Sequence, residues 1–262
     1  MKYSGLFLHF KNSSLICSKV KVLSVMVKFT LSVCSRDKNR PKTLISLIKY
    51  GVPGVLQPRI SWDASSMYEG HKLNTFLLNN DDDIFIMCHD DVEILSRHDN
   101  FYDLLNICNK PGVGFVGVAG GARFDAQSIQ GAWWNARNTG EARGFVFQGA
   151  DPNAAQPNYF GPNGQVVVLD GCFMACSYKT LKTVGLEKPH YLTSNWDFYD
   201  IHLTLKAHLM GLSNYTVPIL IRHESPGIPR EEWHTARSQF LKFHSGNLPC
   251  RLPFEKTTGL PS

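Results

Sequence analysis

Three short stretches carry side chains whose types and order could do chemistry. The first is His89-Asp90-Asp91, which follows the acidic turn Asp81-Asp82-Asp83 and the apolar run Ile84-Phe85-Ile86-Met87-Cys88. The second holds Asp197 and Asp200, three positions apart, and the third is His223 within Arg222-His223-Glu224. A carboxylate and an imidazole fixed on a rigid strand end suit a hard divalent cation that also holds a phosphate. A further carboxylate beside them can accept the proton of an attacking hydroxyl. Each group also has a plainer reading. Asp pairs are common in loops, and a lone His at a strand end is more often structural than a ligand. Order and surroundings have to separate the two.

The run at 84–88 is short, apolar and partly β-branched, which predicts a strand covered on both faces in the middle of a parallel sheet. Such a strand cannot hold charges, so His89, Asp90 and Asp91 must emerge at its carboxyl end, the edge where open α/β sheets bind ligands. Alternation puts His89 and Asp91 on one side and Asp90 and Val92 on the other. Glu93 shares the side of Asp91 and is an alternative ligand if the register differs.

Residues 29–34 predict a first core strand, running into the polar turn Ser35-Arg36-Asp37-Lys38-Asn39-Arg40. Pro41 can open a helix, with Leu44, Ile45, Leu47 and Ile48 at helical spacing. A polar turn before a helix amino end attracts anions. Residues 54–57 predict a weak second strand, with Ser61-Trp62-Asp63 in the loop after it. Residues 67–78 predict a helix with Leu73, Phe76 and Leu77 inward, 102–109 another helix, and 113–119 a glycine-thinned strand. The order β-α-β-α-β-α-β calls for a parallel sheet with right-handed crossovers.

The rhythm breaks at Gly120. From 120 to 165 the chain is rich in Gly, Asn, Pro and aromatics, including Gly131-Ala132-Trp133-Trp134. Long irregular spans inside a domain are usually functional. Trp133 and Trp134 suit stacking on sugar rings, although either could equally plug the core. Residues 166–169 predict a strand, 178–184 a helix that Gly185 ends well, and 201–210 a helix. Asp197 and Asp200 then face one cleft from that helix's amino end. Residues 217–221 predict a last strand delivering His223, followed by a tail with Trp233 and Phe240 as a helix and an extended segment.

A chain of 262 residues can bury a full core. Its net charge of +5 comes from scattered rather than blocked Lys and Arg, so a polyphosphate-bearing small molecule accounts for it as well as nucleic acid does. No basic stripe interleaved with aromatics supports nucleic-acid binding. Seven Cys without metal-type spacing argue against a disulfide framework and structural zinc, and for a reducing, cytoplasmic setting. No apolar run approaches the roughly 20 residues of a transmembrane segment. The turn after the first strand, 35–40, carries neither GxGxxG nor GxxxxGK[ST], which lowers the weight of a dinucleotide fold and of a P-loop enzyme. Residues 1–25 read as an N-terminal extension, either disordered or not native to the mature protein. Residues 26–262 read as one domain, nucleotide-binding over about 26–120 and acceptor-binding and catalytic over about 121–262.

Six blocks, in order, resemble the family 2 type of nucleotide-sugar glycosyltransferases with the GT-A fold, in the branch whose central motif reads His-x-Asp-Val. They are Phe85-Ile86-Met87-Cys88-His89-Asp90-Asp91-Val92, Gly114-Phe115-Val116-Gly117-Val118-Ala119-Gly120, Gly131-Ala132-Trp133-Trp134, Leu169-Asp170-Gly171-Cys172-Phe173-Met174-Ala175, Phe198-Tyr199-Asp200-Ile201-His202-Leu203 and Ile219-Leu220-Ile221-Arg222-His223-Glu224-Ser225-Pro226-Gly227. The resemblance implies a Rossmann-like, mostly parallel central sheet flanked by helices, with an irregular acceptor-side insertion. It implies a metal, Mn²⁺ or Mg²⁺, on Asp91 and His223, with Asp90 and His89 near the ribose and diphosphate. Asp200 falls at the general base of inverting members. Gly171 and Cys172 line the donor-sugar side, Trp133 and Trp134 the acceptor side, Ser35 and Arg36 the nucleotide base, and Lys72 is a diphosphate or base contact. The partners implied are a nucleotide-sugar donor, UDP being commonest with this fold, and a glycan or glycoconjugate acceptor.

The chain departs from the pattern where the family's Glu-Asp is Tyr199-Asp200 and a later acidic position is His202. The base therefore stands between Asp197 and Asp200. Direct displacement with one base inverts the anomeric centre, and no second carboxylate is placed as a covalent nucleophile. A nucleotidyltransferase acting on a sugar phosphate and a catalytically silent carbohydrate-binding relative are the competing readings. The first would want a glycine-bearing triphosphate loop after the first strand, and 35–40 has no Gly.

Overall fold

The computed structural model describes residues 27–35, 56–62, 64–225 and 227–252. The expected N-terminal extension, Arg36 and the helix after Pro41 lie outside them. In chain order the first strands are β1 (Phe29–Ser35), β2 (Leu56–Trp62), β3 (Ile84–His89) and β4 (Val92–Ile94). Next come β5 (Val113–Gly117), β6 (Ala119–Gly121), β7 (Arg123–Phe124), β8 (Ala142–Gln148) and β9 (Gln156–Gly161). The last are β10 (Gln165–Val166), β11 (Val168–Leu169), β12 (Phe173–Ser177), β13 (Ser213–Thr216), β14 (Ile221–His223) and β15 (Cys250–Arg251).

A seven-stranded sheet has the order β10-β13-β5-β12-β3-β1-β2. Five of its strands point one way, while β12 runs against β3 and β5, and β10 against β13. The sheet is thus mostly parallel in direction but mixed in its pairing. A second sheet, β11-β6-β8-β14-β4 with β9 added to β8, stands beside it. β3 is apolar throughout because both of its faces are covered. Ile84, Ile86 and Cys88 enter one cluster, Phe85 and Met87 the other, and all five are buried. Each large side chain so buried contributes roughly 1.5–3 kcal/mol.

The first cluster packs against α2 (His98–Leu105), the second sheet and α5 (Glu231–Phe243), through Phe101, Val118, Val146 and Phe240. The second packs against α1 (Met67–Leu73), α3 (Tyr178–Val184) and α4 (Tyr199–Leu209), through Tyr68, Leu181 and Leu203. Ser66 and Ser177 cap α1 and α3, their hydroxyls accepting from the N–H groups of Glu69 and Thr180.

Several expectations need correction. The helix over 67–78 ends at Leu73 and tightens into a 3-10 turn, Asn74–Leu77, with Leu73 and Phe76 64% and 69% exposed. The inward row is instead Met67, His71 and Asn74. The last two are polar yet buried because the Ser32 hydroxyl meets His71 Nδ1 at 2.8 Å and accepts from Asn74 at 2.8 Å. The strand expected over 113–119 breaks at Val118, where the chain passes from the first sheet into the second, and the one over 166–169 breaks the same way at Val167. β12 has no β-branched residue, so its composition does not predict the strand. Residues 217–220, expected as strand, join β13 to β14. The irregular insertion also carries strands: β7, β8 and β9 lie within it, and β8 and β9 form an antiparallel pair.

Candidate active site

β3 ends at His89, and a turn at Asp90-Asp91 leads straight into β4. β14 pairs antiparallel with β4, setting His223 opposite Val92 and Arg222 opposite Glu93. This pairing decides which side chains face inward. His223 Nε2 lies 3.2 Å from Asp91 Oδ1 and 3.4 Å from His89 Nδ1. Glu93 is turned the other way, accepting from Arg222 Nε at 2.9 Å, because the turn at 90–91 interrupts the alternation that put it beside Asp91. It is not a ligand.

Among the described residues, His89, Asp91 and His223 form the one group of three such donors, with one ligand atom from each lying within 4.8 Å of the others. Ligand bonds of about 2.1–2.3 Å place adjacent donors on an octahedral ion about 3 Å apart. Two of the donor separations here match that spacing. Electrostatics agree. Burial would raise the Asp91 carboxyl, but the hydrogen bond from His223 and the charges of His223 and His89 hold it well below the usual carboxylate range. Burial likewise works against charge on His223, yet Asp91 overrides it and raises the imidazole. Burial and then His223 lower His89. The three residues fit a bound divalent cation, which would replace the proton that Asp91 and His223 otherwise share.

A cavity of ≈ 790 Å³ opens beside this cluster, within the range of small-molecule sites. His89, Asp90, Asp91, Asp170, Asp197, Asp200 and His223 line it, with Trp133, Trp134, Trp196 and Trp233 among its aromatics. Trp134 and Trp233 lie 5.4 Å apart, ring to ring, and tilted by 37°. Asp90 Oδ2 accepts from the Ser35 hydroxyl at 2.5 Å.

Asp197 and Asp200 reach the cavity across Phe198, whose φ of +64° is unusual for a bulky side chain. Holding such a residue there costs on the order of 1–3 kcal/mol, offset by burial of its ring against Trp233 and Phe240. Asp200 Oδ2 accepts from Gly171 N–H at 2.7 Å and Oδ1 from Ile201 N–H at 2.8 Å. Burial and then the neighbouring Asp170 carboxylate push it up to about 7. Asp197 is tethered by the Ser194 hydroxyl at 2.7 Å. Gly171 must be glycine: a Cβ there would lie 2.5 Å from the Tyr199 hydroxyl and 2.9 Å from Asp200 Cβ.

The model of the Glycosyltransferase like family matches residues 60–245, well over half of the chain. The chain belongs to this family. Among solved structures, the glycosyltransferase superposes on the mannosyltransferase PcManGT from Pyrobaculum calidifontis, in complex with GDP-Man and Mn²⁺, with a TM-score of 0.52 and 13% identity. The match covers 84% of this chain but 63% of that one, so this chain spans less than two thirds of its length. At that identity the likeness speaks for the fold, and it agrees with the GT-A architecture expected above. A197 from STIV is also similar, with a TM-score of 0.44, 12% identity and coverage of 78% of this chain and 97% of its own. No curated protein sequence matches the chain.

Of the site residues read from the sequence, the fold brings together His89, Asp90, Asp91, Trp133, Trp134, Asp197, Asp200 and His223 at one cavity. Ser35 stands one step behind Asp90. Gly171 and the buried Cys172 lie behind the lining, where Gly171 holds Asp200 and the Cys172 N–H donates to Asp170 at 2.9 Å. Lys72 does not line the cavity: it is exposed on α1, 3.8 Å from Glu187. Arg36 lies outside the described residues. Sequence reasoning assigned no role to Asp170, which accepts from Trp133 Nε1 at 3.2 Å, nor to Trp196, Arg230 or Trp233. Asp170 carried a readable signal, an acid directly after an apolar strand, as at His89-Asp90. No helix among the described residues is long and apolar enough to cross a membrane.

Proposed function

We propose that the enzyme is an inverting, metal-dependent glycosyltransferase that moves a sugar from a nucleoside-diphosphate sugar to a hydroxyl of a glycan or glycoconjugate. The observation that carries this is the convergence of His89, Asp91 and His223 on a cavity whose wall also holds Asp200. Two imidazoles with one carboxylate favour Mn²⁺ over the harder Mg²⁺, which prefers an all-oxygen shell. Held by those three side chains, the ion would supply Lewis-acid charge to the diphosphate.

The chain's own groups do the rest. Asp90, tethered by Ser35, faces the nucleoside side. Trp134 and Trp233 offer aromatic faces to an acceptor sugar. Asp200, raised to about 7, is poised to take the acceptor's proton as the hydroxyl attacks. Asp197 is bound to Ser194 in its own local turn, which leaves Asp200 the better base. One base without a partnered nucleophile favours direct displacement and inversion. UDP-sugars head the donor list on the commonness of their fold partners, and GDP-mannose joins it because a protein of like fold binds it.

The test is a thermal-shift panel of nucleoside diphosphates and nucleotide sugars, each with and without Mn²⁺, since a ligand binding only the folded form must raise the melting temperature. A shift that requires both nucleotide and metal is expected. No shift with any pair would sink the reading. NMR of the product's anomeric configuration then decides between inversion and retention.

A further inference from the structure

We propose that Arg230 grips the donor's diphosphate and receives the negative charge that gathers there as the sugar leaves, an inference that rests on the glycosyl-transfer reading above. The cavity's charge balance leads to it. Five aspartates line the space: Asp90, Asp91, Asp170, Asp197 and Asp200. Among the described lining residues, Arg230 is the one Lys or Arg. A nucleoside-diphosphate sugar brings two more negative charges into this acidic bowl, and a divalent ion answers only part of the total.

Other arginines near the second sheet are already engaged. Arg222 is held by Glu93, Glu224 and the carbonyls of Gly149 and Ala150. Arg123 and Arg251 are held by Asp125 and Glu141, and Arg143 by two carbonyls. Arg230 forms no ion pair with a described residue. It is exposed at the rim, immediately before α5, seven positions after His223. The segment between them also faces the cavity, through Ser225, Gly227, Ile228 and Pro229. One stretch of chain thus delivers both a metal-ligating imidazole and a guanidinium. The planar guanidinium fork suits two phosphate oxygens at once, which an ammonium does not.

In the transfer, the acceptor oxygen forms a bond to the anomeric carbon. The bond from that carbon to the β-phosphate oxygen breaks, and its electron pair stays on the phosphate. The acceptor's proton goes to Asp200, and Arg230 remains protonated throughout. The diphosphate therefore gains one negative charge during the step, and a cation facing it lowers the barrier as well as aiding binding.

Full-length wild type, Arg230→Gln and Arg230→Lys are compared by thermal shift and calorimetry with UDP, GDP, UMP and GMP in Mn²⁺, alongside transfer kinetics. Arg230 is exposed, so the unliganded melting temperature should stay at the wild-type value. Arg230→Gln should weaken diphosphate binding about tenfold and leave monophosphate binding within about twofold. Its kcat should fall about 10²–10³-fold, with partial recovery in Arg230→Lys. Unchanged diphosphate affinity with a raised acceptor KM would make Arg230 an acceptor contact and overturn the inference. Unchanged kinetics and binding would make it a solvated helix cap and overturn the inference equally. Failure of the wild type to bind either diphosphate would overturn the glycosyl-transfer reading and this inference together.

Discussion

Asp200→Asn should slow transfer steeply yet stabilise the unliganded protein above neutral pH. An aspartate with an ordinary value of 3.8 and a folded value of about 7 binds its proton more tightly in the folded state. Its contribution to stability is therefore complete below pH 3.8 and is lost as pH rises toward 7. Each pH unit in that window is worth about 1.4 kcal/mol, so ionisation costs up to about 4 kcal/mol at pH 8 and about 1.6 kcal/mol at pH 5. Water reaching the open cavity makes these upper figures. Asparagine cannot ionise, but it must turn its amide nitrogen toward one of the two N–H donors, Gly171 or Ile201. That conflict costs about 1–3 kcal/mol at every pH. The variant should be neutral or destabilised at pH 5 and stabilised by about 1–3 kcal/mol at pH 8. The difference between the two pH values, about 2.5 kcal/mol, is free of the amide term. Urea unfolding of both proteins at both pH values measures it. Subtracting the wild type also removes His202, which burial lowers to about 4 and which costs stability as pH falls below 6.5. A pH-dependent difference under about 1 kcal/mol would refute the raised Asp200. Transfer by the wild type should correspondingly rise with pH through about 7, and the variant should lose about 10²–10⁴-fold.

Chelation should lower the melting temperature of the metal-loaded enzyme, and Mn²⁺ at about 100 times its Kd should restore about 2.7 kcal/mol. Asp91→Asn and His223→Ala should each remove that Mn²⁺-dependent gain, read by thermal shift without any substrate. Trp134→Ala should raise acceptor KM by about two- to tenfold, the equivalent of one lost aromatic contact, while donor binding stays constant in calorimetry. Gly171→Ala should cost about 1–3 kcal/mol in urea and suppress kcat, because the added methyl displaces Tyr199 and Asp200.

The strand at 84–88 is legible in the sequence because both its faces are buried, so no polar residue interrupts it. His89, Asp91 and His223 are legible as strand-end residues, although only the pairing of β14 with β4 puts them within reach of one another. The inward side of α1 is not. A hydrophobic stripe cannot announce that His71 and Asn74 turn inward to satisfy Ser32, leaving Leu73 and Phe76 outside. Nor can periodicity locate the sheet changes at Val118 and Val167, since the residues on either side are equally apolar and both are buried. Lys72 misleads for a related reason. A cation on a short helix can face either way, and here it points toward Glu187.

On the proposed metal reading, the ladder between β4 and β14 would tie metal uptake to correct folding. Side chains on a strand alternate, so a slip of one residue would send the His223 imidazole to the far side and thrust Arg222 among the cation's ligands. Such a misfold would repel the ion it should capture. Loading with Mn²⁺ would then double as a proofreading signal: only molecules with correct alignment across this seam would take up the ion, whatever their helical content.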